Sequence, residues 1–460
     1  MSTQSPASRM LKKPSQHTLS SAQQEAVDAL YGGNKLLIAP KGFGKCAVGQ
    51  TAAQELLRDG ELKRVLVLAP LKVCQLTWAG EWESWEGLEP PGMMVGELWQ
   101  RLDVLANPAA SITVMNFDNL EWLFDQFPAR GADGFPFDGL LVDESTKLKS
   151  AGSSGFKALR KHINLFRWRC AMTADPVAEI GVDIYTQAMI VDGGAALGRN
   201  LEAFRRKYFY PTDFQQRKWS VLPGMDKALA DVLQDVLHVV RDDSYESALP
   251  PIEDRFVDVE MPREAWGVYD ALGNGEVVLA DGGVILADGA AAVQGKRHQV
   301  TAGAVYDAEK PKGVHWLHTA KLDALARAVD ATLEPVAIGY LFQFELTALK
   351  ERWPDIAVLG DDPLGVERAW NAGAIRLLAV HPSSCAHGLN LQYGGSRLHV
   401  LSMPWGADPW EQLVGRFRRR GQRAPVVERV VYVVRDSVDE EILARHSLKR
   451  YASESLNEQF

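Results

Sequence analysis

Apolar residues in this chain fall in short runs, each closed by turn residues or polar punctuation, with stretches of helical spacing between them. Residues 36–38, 65–68, 112–114, 140–142 and 169–172 read as short buried strands. Residues 47–57 and 156–162 carry helical patterns between them. A second set of strand-like runs follows at 256–259, 336–338, 375–378, 398–401 and 430–434. Short, wholly apolar strands alternating with helices predict an α/β fold built on mainly parallel sheets. Leu249-Pro250-Pro251 lies between the two sets, and its prolines stop any helix. The expected organisation is a loose tail over residues 1–17, a first domain over 18–243 and a second over 244–460. An irregular insertion is expected around 273–312, with the Gly-, Ala- and Asp-rich stretch 273–292 read as a plain surface loop.

With 460 residues, 46% of them hydrophobic and 24% charged, the chain has material for more than one core. A net charge of −9 excludes a protein that is basic over its whole surface. It leaves room for a local basic groove on an acidic body. Cys46, Cys74, Cys170 and Cys385 are far apart and form no Cys-x-x-Cys pair, so reduced thiols are expected rather than a zinc ribbon or disulfide framework. No leader-like apolar core opens the chain, and no apolar run approaches the roughly 18 residues of a membrane span. A cytoplasmic location is the resulting expectation.

Ala39-Pro40-Lys41-Gly42-Phe43-Gly44-Lys45-Cys46 follows the first strand and precedes a helix, the context of a phosphate-binding loop. Gly42 and Gly44 allow backbone N–H groups to close on phosphates. Lys45 brings a point charge, and the helix adds its positive N-terminal end. Cys46 stands where a Ser or Thr hydroxyl normally reaches Mg2+, and a thiol is a poor ligand for that hard cation. A water can fill the place, and a chance Gly-rich turn is the plain alternative.

Leu140-Leu141-Val142-Asp143-Glu144 is an apolar strand ending in two carboxylates. In a P-loop ATPase, Asp143 at this place holds Mg2+, usually through water, and Glu144 orients and deprotonates the attacking water. Thr173-Ala174-Asp175-Pro176 ends another strand, where a Thr can sense the γ-phosphate or simply build an Asp-Pro turn. Five arginines crowd into residues 416–423. Arg416 and Arg419 are three apart, which on a helix puts both guanidinium groups on one face, suited to a γ-phosphate in the transition state. A solvated basic helix is the bland alternative.

In that order, the segments resemble a superfamily 2 helicase-like ATPase of the Swi/Snf type, most like the short versions encoded by bacteriophages. The resemblance covers about residues 18–450. It assigns Gln23 to the adenine-reading region, residues 40–46 to the ATP loop and Asp143-Glu144 to the acidic motif. It also assigns Gly388 and Asn390 to the motif after the Cys385 region, and Gln412, Gly415, Arg416, Arg419, Gly421 and Gln422 to the arginine motif, with Arg416 and Arg419 as arginine fingers. Lys72, with Trp78 and Trp82 nearby, Asn116, Lys149, Asn390 and Trp405 fall on segments that contact nucleic acid. Ala174 and Asp175 depart from the family pattern Thr-Gly-Thr-Pro.

The resemblance implies two RecA-like lobes with ATP and Mg2+ in the cleft between them, and duplex DNA lying across both. It implies ATP-driven tracking along DNA in phage replication, recombination or repair, in the host cytoplasm. A clamp or assembly factor that binds nucleotide or DNA but turns over poorly is the alternative that Cys46 and Asp175 motivate. Unwinding of RNA is a third.

Overall fold

Burial, more than periodicity, explains the strands: a strand covered on both faces needs an apolar residue at nearly every position. In a computed structural model of the protein, the described residues are 17–127, 134–174, 182–211, 219–240, 249–274, 276–279, 284–287, 289–307, 313–360, 362–385 and 389–447. The chain divides into two compact units, the first reaching Val240 and the second running on from Arg241.

In the first unit, β1 (Leu36–Ile38), β2 (Val65–Ala69), β3 (Gly92–Met93), β4 (Ile112–Asn116), β5 (Gly139–Asp143) and β6 (Trp168–Thr173) come in chain order. A small antiparallel pair, β7 (Phe209–Pro211) and β8 (Trp219–Val221), precedes β9 (Leu237–Val239). The main sheet is parallel throughout, in the order β3-β4-β2-β5-β6-β1-β9. Every residue of β2, β4 and β5 is buried.

Successive side chains point to opposite faces. Leu66, Leu68, Leu140 and Val142 pack on one face with Phe156 and Leu159 of the helix Ser154–His162. Val65, Val67 and Leu141 pack on the other, with Val27 and Leu30 of α1 (Ser21–Tyr31) and Val48 and Ala52 of α2 (Lys45–Arg58). Each such aliphatic side chain contributes roughly 1.5–3 kcal/mol on burial.

The second unit begins with β10 (Ile252–Val259) and adds two antiparallel pairs. These are β11 (Glu276–Val278) with β12 (Val284–Leu286), and β13 (Ala304–Tyr306) with β14 (Val314–Trp316). Then come β15 (Val336–Gly339), β16 (Ala357–Val358), β17 (Leu377–Val380), β18 (Arg397–Val400) and β19 (Val427–Val434). Its sheet is also parallel, ordered β10-β19-β18-β15-β17-β16. The α/β class with parallel sheets expected from the sequence is what is found.

The stretch 273–292 is not a plain loop. Val277 of β11, Ile285 of β12 and Ala287 are buried in the second core, and the helix Ala290–Ala302 starts inside the stretch. Two short apolar runs, residues 277–279 and 284–287, anchor the strand pair between the Gly and Asp residues, because the core supplies their contacts. Among the described residues, no helix is long and apolar enough to cross a membrane.

Candidate active site

Parallel strands present their carboxyl ends along one edge, the usual ligand edge of an open α/β sheet. β6 lies between β1 and β5, with Ile38 opposite Thr173 and Asp143 opposite Met172. The loop after β1 and the carboxylates after β5 therefore start on the same edge, one strand apart. The Ala39 N–H donates to the Thr173 carbonyl at 3.1 Å, tying the loop to β6. Thr173 itself is buried, and its successors Asp175 and Pro176 lie outside the described residues.

Gly42 and Gly44 have φ of 83° and 86°, a left-handed backbone that favours glycine. Gly44 caps α2, whose first residue is Lys45, so the first N–H groups of the helix have no intrahelical acceptor and suit an anion. The Lys45 Nζ is buried and donates to the carbonyls of Ala39 and Pro40, at 3.0 and 3.1 Å. Burial pulls its pKa down, and the charges of Glu144 and Asp143 partly oppose that. Lys41 and Gly42 are half-buried, and Phe43 packs in the core.

Gln23 is buried, and both ends of its amide are engaged. Its Oε1 accepts from the Ser20 N–H at 2.8 Å and its Nε2 donates to the Phe43 carbonyl at 2.6 Å. Here Gln23 braces the loop.

Asp143 is the hub. Its Oδ2 accepts from the Cys46 thiol at 3.0 Å and from the Trp78 indole N–H at 2.9 Å, and its Oδ1 accepts from the Glu144 N–H at 3.0 Å. Burial pushes the Asp143 carboxyl up, against the downward pull of these donors and of Lys45. Burial, reinforced by Asp143, also pushes the Cys46 thiol well above its ordinary value, so it stays protonated at neutral pH.

Cys46, expected as a doubtful Mg2+ ligand, is therefore a hydrogen-bond donor in this structure. Among the described residues, no group of three or more His, Cys, Asp or Glu side chains forms a metal cage. What remains fits Mg2+ as a phosphate companion, held by one carboxylate, phosphate oxygens and water, and does not fit an all-protein metal site.

Glu144 follows with φ 54° and ψ 55°, a left-handed conformation that costs a non-glycine residue about 1–2 kcal/mol. The next residue anchors it: the Ser145 Oγ donates to the buried Gln187 Oε1 at 2.6 Å.

The nucleic-acid candidates differ in exposure and partners. Lys72 is exposed, and Lys149 is paired with Asp183 at 3.5 Å. Asn116 is a correction. It is buried, with its Nδ2 on Asp118 and its Oδ1 accepting from Asn119, so it shapes the turn after β4 instead of facing a ligand. Trp78 is another, since its ring is 1% exposed and its donor is spent on Asp143. Trp405 is half-buried against the second core.

In the second unit, the helix Ala407–Phe417 carries Gln412 and Arg416, both half-buried, but ends before Arg419. The shared helical face expected for the two arginines is therefore not formed. Arg418 has a non-helical ψ of 86° and donates to the Pro250 carbonyl at 3.0 Å. Gln422 bonds the carbonyls of Gly395 and Phe417. These tertiary bonds outcompete one more helical turn.

Arg419 is instead set by the loop after Cys385, donating to the Leu389 carbonyl at 3.2 Å and to the Asn390 Oδ1. Glu367 accepts from the Asn390 N–H at 2.8 Å; burial raises its carboxyl pKa, against Asn390, Arg419 and Arg416. Gly388 lies outside the described residues.

No protein-family model matches the chain. "Putative protein p41" of Acyrthosiphon pisum secondary endosymbiont phage 1 is 32% identical over 437 residues, covering 91% of this chain and 93% of that protein. The chain belongs to the family of that phage protein. A solved structure, the Sulfolobus solfataricus SWI2/SNF2 ATPase core in complex with dsDNA, matches with a TM-score of 0.45 at 16% identity, over 96% of this chain and 94% of that one.

In this family member the sequence did not show the roles of Trp78 and Glu367, which bond to Asp143 and Asn390 from distant segments, because no local spacing marks a partner 65 or 23 residues away.

Proposed function

We propose that the chain is an ATP hydrolase that tracks along duplex DNA, serving phage replication, recombination or repair in the bacterial cytoplasm. Residues 18–243 and 244–460 act as its two RecA-like lobes. The observation that carries this reading is the meeting of Cys46, one residue beyond Lys45, with Asp143, 97 residues apart in sequence. A glycine-turned helix start, a buried lysine and a strand-end carboxylate on one sheet edge suit a triphosphate and little else.

In this reading, the backbone of residues 40–46 cradles the phosphates and Lys45 leaves its two loop carbonyls to meet the β- and γ-oxygens. Asp143 would hold Mg2+, which would supply positive charge against the phosphates. Glu144 accepts the proton of the attacking water, and Arg416 and Arg419 stabilise the charge that builds on the γ-phosphoryl group. Gln23 releases Phe43 to read adenine, and Gly388 and Gln412 complete the nucleotide contacts. Lys72, Lys149, Asn390 and Trp405 contribute to the DNA surface, giving weak sequence preference and strong salt dependence.

The thiol at position 46 favours a second reading, a nucleotide-binding clamp with slow turnover. Phosphate release with ATP and Mg2+, measured with duplex DNA, single-stranded DNA and RNA in turn, decides. Duplex DNA is expected to stimulate most, and Glu144→Gln to lower release by roughly 10²–10⁴-fold. No stimulation by any polymer removes the motor reading.

A further inference from the structure

Asp143 needs to be held still, and the thiol beside it is a weak hydrogen-bond donor. The indole of Trp78 supplies what the thiol lacks. Residues 71–73 form a helical turn that widens into a π-type turn at Cys74–Trp78, a local distortion common at functional positions. This turn carries the ring inward, where it is 1% exposed and packs in the core with Phe43 of the phosphate loop and Val48 of α2. Its N–H then reaches the Asp143 Oδ2 at 2.9 Å, the same oxygen that takes the Cys46 thiol at 3.0 Å. An indole N–H only donates, so it can brace the carboxylate without competing for a cation.

We propose that Trp78 is a positioning residue for Asp143, fixing the carboxylate from the protein side so that a thiol in place of the usual hydroxyl still leaves a usable metal site. Two donors on Oδ2, together with the Glu144 N–H on Oδ1, define one orientation of the group before any ligand arrives. The inference rests on the ATP reading above, and deepens it.

The test is binding of N-methylanthraniloyl-ADP to the full chain, titrated once with Mg2+ and once with EDTA. Wild type is expected to bind more tightly with Mg2+. Trp78→Phe is expected to lose about tenfold of that metal-dependent gain, the size of one charge-assisted hydrogen bond, and to keep its affinity in EDTA. On an Asp143→Asn background, Trp78→Phe is expected to change nothing further. Equal losses with and without metal mean the ring only packs, and overturn the inference, as does no loss at all.

If wild type binds no nucleotide in either condition, the ATP reading falls and takes the inference with it. If Trp78→Phe does not fold, ¹⁵N-indole NMR of the intact chain answers instead. One indole N–H signal should move in Asp143→Asn, and none moving overturns the inference.

Discussion

The Cys46 thiol donates to the Asp143 Oδ2 across 3.0 Å, so the residue that departs from the phosphate-loop pattern is the one that ties the loop to the acidic strand. A hydroxyl there would make a shorter, stronger bond and offer an oxygen to Mg2+. Cys46→Thr is expected to raise ATP turnover several-fold, and to shift the balance from Mn2+ toward Mg2+, because the softer thiol gives the hard ion least. Steady-state phosphate release with each metal checks this. A lower rate in the variant means the site is built around the thiol.

Glu144 pairs a catalytic assignment with a strained backbone. Replacing it by Gly removes the left-handed penalty of about 1–2 kcal/mol and adds an unfolded-state cost of about 0.5–1 kcal/mol. Glu144→Gly is therefore expected to melt at or slightly above the wild-type temperature while releasing no phosphate. A clear fall in melting temperature contradicts the strain argument.

Gly44 has no room for a side chain. A Cβ would sit 2.8 Å from the Gln23 Nε2 and 3.1 Å from the Trp85 ring, at a φ of +86°. Gly44→Ala is expected to cost about 2–3 kcal/mol from the backbone term and the displaced Gln23–Phe43 bond. Differential scanning calorimetry should show the loss, with nucleotide binding weakened alongside.

His298 gives the second unit a pH response. It is 1% exposed, its Nε2 has no partner among the described residues, and it faces Lys321, Asp439 and the rings of Phe342 and Trp405. Burial pulls its pKa from 6.5 to about 4, opposed by Asp439 and assisted by Lys321. The unfolded chain thus takes up a proton that the folded one refuses. The stability of the neutral form is present above about 6.5 and lost as pH falls toward about 4. The loss is roughly 2–3 kcal/mol. Urea unfolding between pH 7 and pH 4 should show it, and His298→Leu should flatten the slope.

Much of the fold could be read from the chain. Runs such as residues 36–38 and 140–142 became β1 and the centre of β5, because strands covered on both faces must be apolar throughout. The short strands β3, β9 and β16, at two or three residues, escaped because so few positions carry no periodicity. The pair β11–β12 escaped because Gly and Asp around it mimic a loop.

The candidate site divides the same way. Residues 39–46 and 140–144 announced themselves, since a glycine-bent strand-to-helix turn and a carboxylate pair at a strand end are properties of contiguous residues. Tertiary structure alone decided the rest. It turned Trp78 inward onto Asp143, and broke the helix before Arg419 so that Asn390 and Leu389 hold that guanidinium. Each of these outcomes is a hydrogen bond between segments far apart in sequence. Local spacing specifies backbone shape, and only packing decides which distant donor satisfies which buried acceptor.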